Sequence, residues 1–561
     1  MAEANKPWYR ELNRYHWLVL CVCTAGWLFD CLDQQLFNLA RKPAVAELKE
    51  LSPSDPDVDR YGGWATSLLL IGWATGGIFF GIMGDRWGRV KTMVCTILAY
   101  SLFTGLTYFA VGLWDFLLYR FLAGLGVGGQ FAVGVALVAE SLPNHVRPQA
   151  LGALQAFSAV GNVGAGLISL WLNKLAAVGT IDSAWRLMFA IGILPALLVV
   201  IVIRHLREPE AWTKAVAERR AGTKKAGSLG ELFGDPRWRK RVIVGMILAS
   251  AGVIGLWAIG VFSNDLTQSV FRKRYEAEAR EQGEAKADLQ FVAMLVAAPQ
   301  EVEAVQAKIR YTHLLGSDPK DADARSLYAA AVALHAREMP VAADAVLDLL
   351  DKAAPNGKEW KAQSADDRGR RGKLLTAAAA DGGSFDEHVD RIVARTKRIG
   401  GEVGYWAAIT LILFNLGAFV GMYSFSLVTA RIGRRATFLL AFLAAMGSTI
   451  VAFLFMSTPR DLFWMVPLMG CCQLSVFGGY AIYFPELFPT RLRSTGTSFC
   501  YNIARYAAAA GPAVMTSMAA LLFSGWEEPL RPAGVTMCAC FLVGIIVLLF
   551  APETKGKPLP E

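Results

Sequence analysis

Gly81-Ile82-Met83-Gly84-Asp85-Arg86-Trp87-Gly88-Arg89-Val90-Lys91 joins two apolar stretches, and a shortened copy, Ala430-Arg431-Ile432-Gly433-Arg434-Arg435, joins two others. A second pair behaves the same way: Glu140-Ser141-Leu142-Pro143 and Glu486-Leu487-Phe488-Pro489 each close an apolar run. Matched loops at matched positions indicate a duplicated helical unit. Working outward, a span of ~30 Å of hydrocarbon needs about 20 apolar residues. Twelve stretches qualify: 17–40, 62–83, 91–112, 115–140, 149–172, 184–204, 241–263, 403–428, 436–457, 462–484, 495–523 and 532–551. The expected fold is all-α, with twelve transmembrane helices in two pseudo-symmetric six-helix bundles.

Composition agrees. Of 561 residues 54% are hydrophobic and only 18% charged, against roughly 25% charged in soluble domains. The net charge of +9 is better read as cytoplasmic Lys and Arg than as a nucleic-acid surface. Lys and Arg number about 25 in the loops on the side of both termini and about 8 opposite, so both termini are expected in the cytoplasm. Met1–His16 lacks the apolar core of a signal peptide. All nine cysteines lie in apolar stretches and show no zinc spacing, so neither disulfides, a metal nor another cofactor is expected.

Residues 265–400 break the pattern, with 22 acidic and 21 basic residues in 136 positions. The expected organisation is an N-terminal bundle (1–204), a basic linker (205–238), a seventh span (239–264), a soluble helical insert outside the cytoplasm (265–400), and the remaining spans with a cytoplasmic tail (401–561). Within the insert, helices are expected over Arg272–Leu315, Asp321–Glu338 and Pro340–Ala353. It is either a solvated cap or a module for a partner that the sequence does not identify.

The 81–91 loop, Arg120-Phe121-Leu122-Ala123-Gly124-Leu125-Gly126, Pro485-Glu486-Leu487-Phe488-Pro489-Thr490-Arg491 and Pro552-Glu553-Thr554-Lys555-Gly556 together resemble the major facilitator superfamily. The resemblance implies a secondary transporter, not an enzyme, working by alternating access. It also implies a cytoplasmic gate at Asp85, Arg86, Gly88, Arg89, Glu140, Arg431, Arg434 and Glu486. Ala430 replaces the acidic residue in the second copy, so an asymmetric latch is expected. Gly124-Leu125-Gly126-Val127-Gly128-Gly129 also fits the dinucleotide fingerprint, but within an apolar span its glycines serve helix packing.

Charges inside the spans need a partner or a purpose. Asp30 and Asp33 lie one turn apart on one helix face, where double ionisation is disfavoured and a proton can exchange. Arg120 and Arg505 supply counter-charges. Asp30, Asp33, Arg120 and Arg505 resemble the set in the aromatic-acid and sialate proton symporters. That resemblance gives Asp30, Asp33 and Arg120 the proton coupling and Arg505 a substrate carboxylate. The alternatives are a purely structural pairing of the aspartates with Arg120, and a structural pairing or carbonyl-capping role for Arg505. Gln34, Gln130, Gln155, Asn162 and Asn502 are candidate substrate ligands, Asn415 and Gln473 further polar candidates, and Trp27, Phe131 and Tyr483 candidate stacking partners.

The expected function is proton-coupled symport of a small carboxylate or acidic sugar, in a plasma (cell inner) membrane. Its partners are the solute, protons and the lipid bilayer, with no nucleic acid. Neutral-sugar transport is one alternative, since the tail is similar to that of the sugar porters. A non-transporting nutrient sensor that uses the insert is another.

Overall fold

The computed structural model describes residues 7–49, 56–177, 180–181, 183–220, 227–260, 262–281, 385–526 and 528–560. The expected insert helices Asp321–Glu338 and Pro340–Ala353 lie outside them. The helices are α1 (Arg14–Leu48), α2 (Pro56–Trp87), α3 (Arg89–Thr107), α4 (Leu113–Ser141), α5 (Arg147–Ala156), α6 (Ser158–Ala177), α7 (Ala184–Ile191) and α8 (Ala196–His205). The short α9 (Glu210–Arg220) and α10 (Leu229–Gly234) lead to α11 (Pro236–Ile254) and α12 (Phe262–Glu281). After them come α13 (Phe385–Ile432), α14 (Arg434–Phe455), α15 (Pro459–Leu487), α16 (Arg493–Ala508), α17 (Gly511–Leu521), α18 (Leu530–Met537) and α19 (Ala539–Val547).

Among the described residues, eleven helical stretches are long and apolar enough to cross a membrane, one fewer than the sequence reading expected. The missing one is the run 495–523, which is divided into α16 and α17 of 16 and 11 residues. Gly511-Pro512 follows the division, and proline cannot donate the helical hydrogen bond at its position. Other expected spans are also interrupted. The sixth turns over Gly192–Pro195 between α7 and α8, and the seventh passes through a π-helical turn, Gly255–Gly260, after α11. The eighth, Glu402–Ile432, starts within a residue of the expected position and is the apolar part of a longer helix that begins at Phe385.

The chain forms two compact units. One comprises residues 1–44, 61–267 and 407–561, the other 45–60 and 268–406. In the second, Ala279, Ile399 and Val403 pack together with Tyr275. Trp406 Nε1 donates to the Tyr275 hydroxyl at 2.6 Å.

The first unit repeats its own local chemistry. Asp115 accepts from Val111 N and Gly112 N at the start of α4, as Asp461 accepts from Ser457 N and Thr458 N at the start of α15. Each carboxylate satisfies N–H groups that the helix start exposes. Arg186 caps the carbonyls of Tyr108 and Ala110 beyond α3, and Arg531 caps those of Phe453, Leu454 and Met456 at the end of α14. Inside each half a threonine and a glutamine join neighbouring helices, Thr96 to Gln130 at 2.7 Å and Gln473 to Thr449 at 2.6 Å.

Small residues set the helix spacing. A Cβ at Gly128 would lie 2.0 Å from the Trp73 carbonyl oxygen, and one at Gly421 would lie 1.9 Å from that of Cys471. The fingerprint-like run in α4 therefore lets α2 approach. Backbones this close are the usual solution where lipid removes the hydrophobic drive for helix association. Gly128→Val is expected to lower the melting temperature of the purified protein by several degrees. Gly447→Val, where a side chain meets open space, is expected to leave it unchanged.

Candidate functional site

Two polar centres lie within the first unit. At the level of the loops after α2 and α13, Arg89 and Arg434 open their helices behind Gly88 (φ 120°) and Gly433 (φ 94°). Both glycines hold a conformation that other residues rarely adopt. Each helix start is capped from a distance. Glu208 accepts from the backbone N–H groups of Arg89, Val90 and Lys91, and Glu553 from those of Arg434 and Arg435. Burial raises the Glu208 pKa above the ordinary carboxylate range, and its three N–H bonds only partly offset this. Burial acts on Glu553 in the same sense, but its backbone N–H donors outweigh it and hold the pKa below the ordinary 4.5.

Glu140 joins the halves. It accepts from Arg89 Nη2 at 2.9 Å in its own half and from Arg493 Nη1 at 2.8 Å in the other, with the three side chains at most 1% exposed. Asp85 pairs with Arg89 at 3.0 Å and accepts from Ser494 N (3.1 Å), Thr495 N (2.9 Å) and Thr495 Oγ1 (2.6 Å). Its carboxylate thus sits on the first turn of α16, where unpaired N–H groups and the helix dipole favour an anion. In the second copy Arg434 pairs with Glu486 at 2.7 Å, and Ala430 presents no carboxylate. Of the other expected gate residues, Arg86 is exposed, and Arg431 contributes its carbonyl, which accepts from Lys555 Nζ at 2.5 Å.

The second centre is deeper. Asp30 and Asp33 are each 1% exposed, and neither Asp30 oxygen nor Asp33 Oδ1 has a hydrogen-bond partner. Asp33 neighbours Arg120 and Thr104, while Asp30 neighbours Asp33 and Tyr100. Among the described residues no direct ion pair joins Arg120 to either aspartate, although its charge acts on Asp33. Arg120 Nη2 instead donates to Thr107 Oγ1 at 2.5 Å and to the Phe103 carbonyl at 3.3 Å, beneath the Phe189 ring at 4.5 Å. Its Nε and Nη1 are unpartnered, as are the hydroxyls of Tyr100, Ser101 and Thr104. The break at Gly192 allows this crowding, because a Cβ there would lie 3.2 Å from Asp33 Oδ1.

Across the seam between the halves, Arg505 is 2% exposed. Its guanidinium lies 4.1 Å from the Trp73 ring centroid and 4.5 Å from that of Tyr501. Nη1 donates to the Tyr501 carbonyl and to Asn502 Oδ1, and Nε has no partner. Trp27, Phe131 and Tyr501 form an aromatic row, with centroids 4.7 and 4.1 Å apart.

The family model described as Major Facilitator Superfamily matches residues 26–273. The chain is 34% identical over 255 residues to a putative metabolite transport protein of Haemophilus influenzae, covering 45% of this chain and 59% of that protein. It is 35% identical over 197 residues to the niacin transporter NiaP of Acinetobacter baylyi, covering 35% of this chain and 42% of the relative. In structure it is similar to the proton:xylose symporter XylE, with a TM-score of 0.55 at 15% identity, covering 97% of this chain and 98% of that one. The human organic anion transporter MFSD10 gives 0.51 at 12% identity, covering 95% and 99%. The likeness to the Major Facilitator Superfamily model is thus confined to residues 26–273, under half of the chain. The chain is a multi-pass membrane protein, and it spans about half the length of the curated relatives it matches (59% and 42%). The structural likenesses concern the fold alone.

Several polar candidates join helices. Asn162 donates to Asn415 at 2.8 Å, and Gln130 accepts from Thr96 and comes close to Gly26. Asn502 donates to the carbonyls of Ser498 and Gly128 while it holds Arg505. Tyr483 is tied to the Pro552 carbonyl at 2.7 Å, away from the aromatic row. Gln155 is buried with Oε1 unpartnered, and Gln34 is half-buried beside Asp33. The sequence reading missed Arg493, Glu208 and, as a site residue, Glu553. A legible signal existed for Arg493, since Glu140…Arg147 and Glu486…Arg493 repeat one spacing.

Removing one partner from a buried charge network leaves the others unpaired, at a cost of about 3–5 kcal/mol. Glu140→Gln is therefore expected to lower the melting temperature far more than Glu231→Gln, whose pair with Arg491 is partly exposed and worth about 0–1 kcal/mol. The depressed pKa of Glu553 adds a pH test. Its stabilisation is present above the ordinary value of 4.5 and is lost as pH falls through the depressed value. Glu553→Gln should lower the melting temperature at pH 7 and matter progressively less below that window.

Proposed function

We propose that the chain is a secondary active transporter that brings a small organic carboxylate or acidic sugar into the cell together with protons. The observation that carries this reading is the buried pair Asp30 and Asp33, three of whose oxygens have no partner although Arg120 is nearby. Two carboxylates and one guanidinium leave one uncompensated negative charge in a low-dielectric interior, and a single proton neutralises it. An unpaired buried charge is expensive, so the loaded and unloaded centres favour different packings of α1, α3 and α4. That difference is what alternating access requires. Arg505, with its unpartnered Nε beside an aromatic row, supplies the positive charge for the solute's carboxylate.

The seam at Glu140, Asp85 and Arg493 is the cytoplasmic gate of this reading, drawn in its closed state, with both termini in the cytoplasm and the protein in the plasma membrane. A monocarboxylate and one proton together carry no net charge, so the pH gradient drives their entry, and only a further proton would draw about 2.3 kcal/mol from a potential of 100 mV. Names among the relatives (niacin, cis,cis-muconate, sialic acid and glucose) supply a test panel.

Purified protein in liposomes that trap a pH dye is expected to acidify the lumen when one of the acids is added outside. Asp30→Asn is expected to abolish the acidification. Solute equilibration without acidification would leave a facilitator and overturn the coupling. A response to glucose alone would move the substrate to neutral sugars, and no movement of any solute would favour the sensor.

A further inference from the structure

Arg505 belongs to one half of the molecule, and the ring beneath it belongs to the other. Trp73 on α2 is 2% exposed, its indole Nε1 has no hydrogen-bond partner, and its face carries the Arg505 guanidinium at 4.1 Å. Tyr501, one turn earlier on α16, lies 4.5 Å from the guanidinium. Arg505 Nη1 is committed to the Tyr501 carbonyl at 2.9 Å and to Asn502 Oδ1 at 2.8 Å. Asn502 is itself fixed, because its Nδ2 donates to Ser498 O at 2.9 Å and, across the seam, to Gly128 O at 3.4 Å. Two rings and one amide therefore set the guanidinium's position. The buried Nε, which has no partner, is the nitrogen left for an anion. A guanidinium held in this way can meet a carboxylate without first being ordered.

We infer that Trp73 and Asn502 are positioning residues for Arg505, and that Trp73 makes the affinity for a carboxylate depend on the two halves being together at this level. The inference rests on the reading that Arg505 meets the solute's carboxylate. When the halves separate here, Arg505 keeps Tyr501 and Asn502 on its own helix but leaves the Trp73 face. The anion site then loosens in the conformation that must release its solute. Trp257, on the π-helical turn, stands edge-on to Trp73 at 6.4 Å, so the same ring also contacts the interrupted stretch after α11.

The test uses the full-length protein and equilibrium binding of niacin, cis,cis-muconate, sialic acid and glucose, with the melting temperature as a check on folding. Trp73→Leu is expected to weaken binding of the acid by about tenfold, the scale of a desolvated cation–π contact. Trp73→Phe is expected to recover most of it, and any binding of glucose should not change. Asn502→Asp, which gives Nη1 a competing carboxylate, is expected to weaken acid binding at least as much. Wild-type affinity in folded Trp73→Leu, with binding lost in Arg505→Gln, would overturn the positioning role and leave the reading of Arg505 intact. Unchanged binding in Arg505→Gln, or a wild-type protein that binds none of the acids, would overturn that reading and the inference with it. A loss in Trp73→Leu that Trp73→Phe does not recover would assign the indole a purely structural role and also overturn the inference.

Discussion

The carboxylate of Glu140 receives one arginine from each half of the protein, with all three side chains out of water. Buried charges of this kind are tolerated only when every member is paired, so the positions of the surrounding elements follow from that requirement. Arg89 has to open α3, which needs the left-handed turn at Gly88, and Arg493 has to open α16. Asp85 then meets the exposed N–H groups of that same helix start. Separating the halves at this level would break several charged bonds together.

The deeper centre has the opposite character. Asp30, Asp33 and Arg120 lie inside one half with oxygens and nitrogens left unpartnered, whereas Glu140 is paired from both halves and Arg186 and Arg531 each bond several carbonyls. Polar groups held at such a cost are a usual mark of a functional centre. Arg505 stands between these extremes, with Nη1 bonded, Nε buried without a partner and two rings beside it. Structural economy explains the Glu140 network. It does not explain the two deeper polar centres.

Much of the fold was legible in the sequence. Apolar stretches of membrane length and two copies of one loop suffice to define a duplicated helical bundle, because lipid leaves a chain few ways to satisfy its backbone. The charged set Asp30, Asp33, Arg120 and Arg505 was equally visible, since a charge inside a span is conspicuous in any reading. Less legible were the breaks at Gly192–Pro195, Gly255–Gly260 and Ala509–Ala510, where apolar composition continues while the helical hydrogen-bond ladder does not.

Partnership was decided by the tertiary structure alone. No spacing announces that Glu208 and Glu553 cap helices more than a hundred residues away in sequence, that Asn162 meets Asn415, or that the Trp73 ring lies beneath Arg505. Periodicity and composition report what each residue avoids or seeks along its own helix. Which group it meets depends on how helices from two halves cross, and that is set by glycine-permitted approaches such as those at Gly128 and Gly421. The sequence by itself determined the number and kind of elements and where charge would be costly. Only the packing of those elements decided which charges are paired, which are left open, and which ring stands beneath which cation.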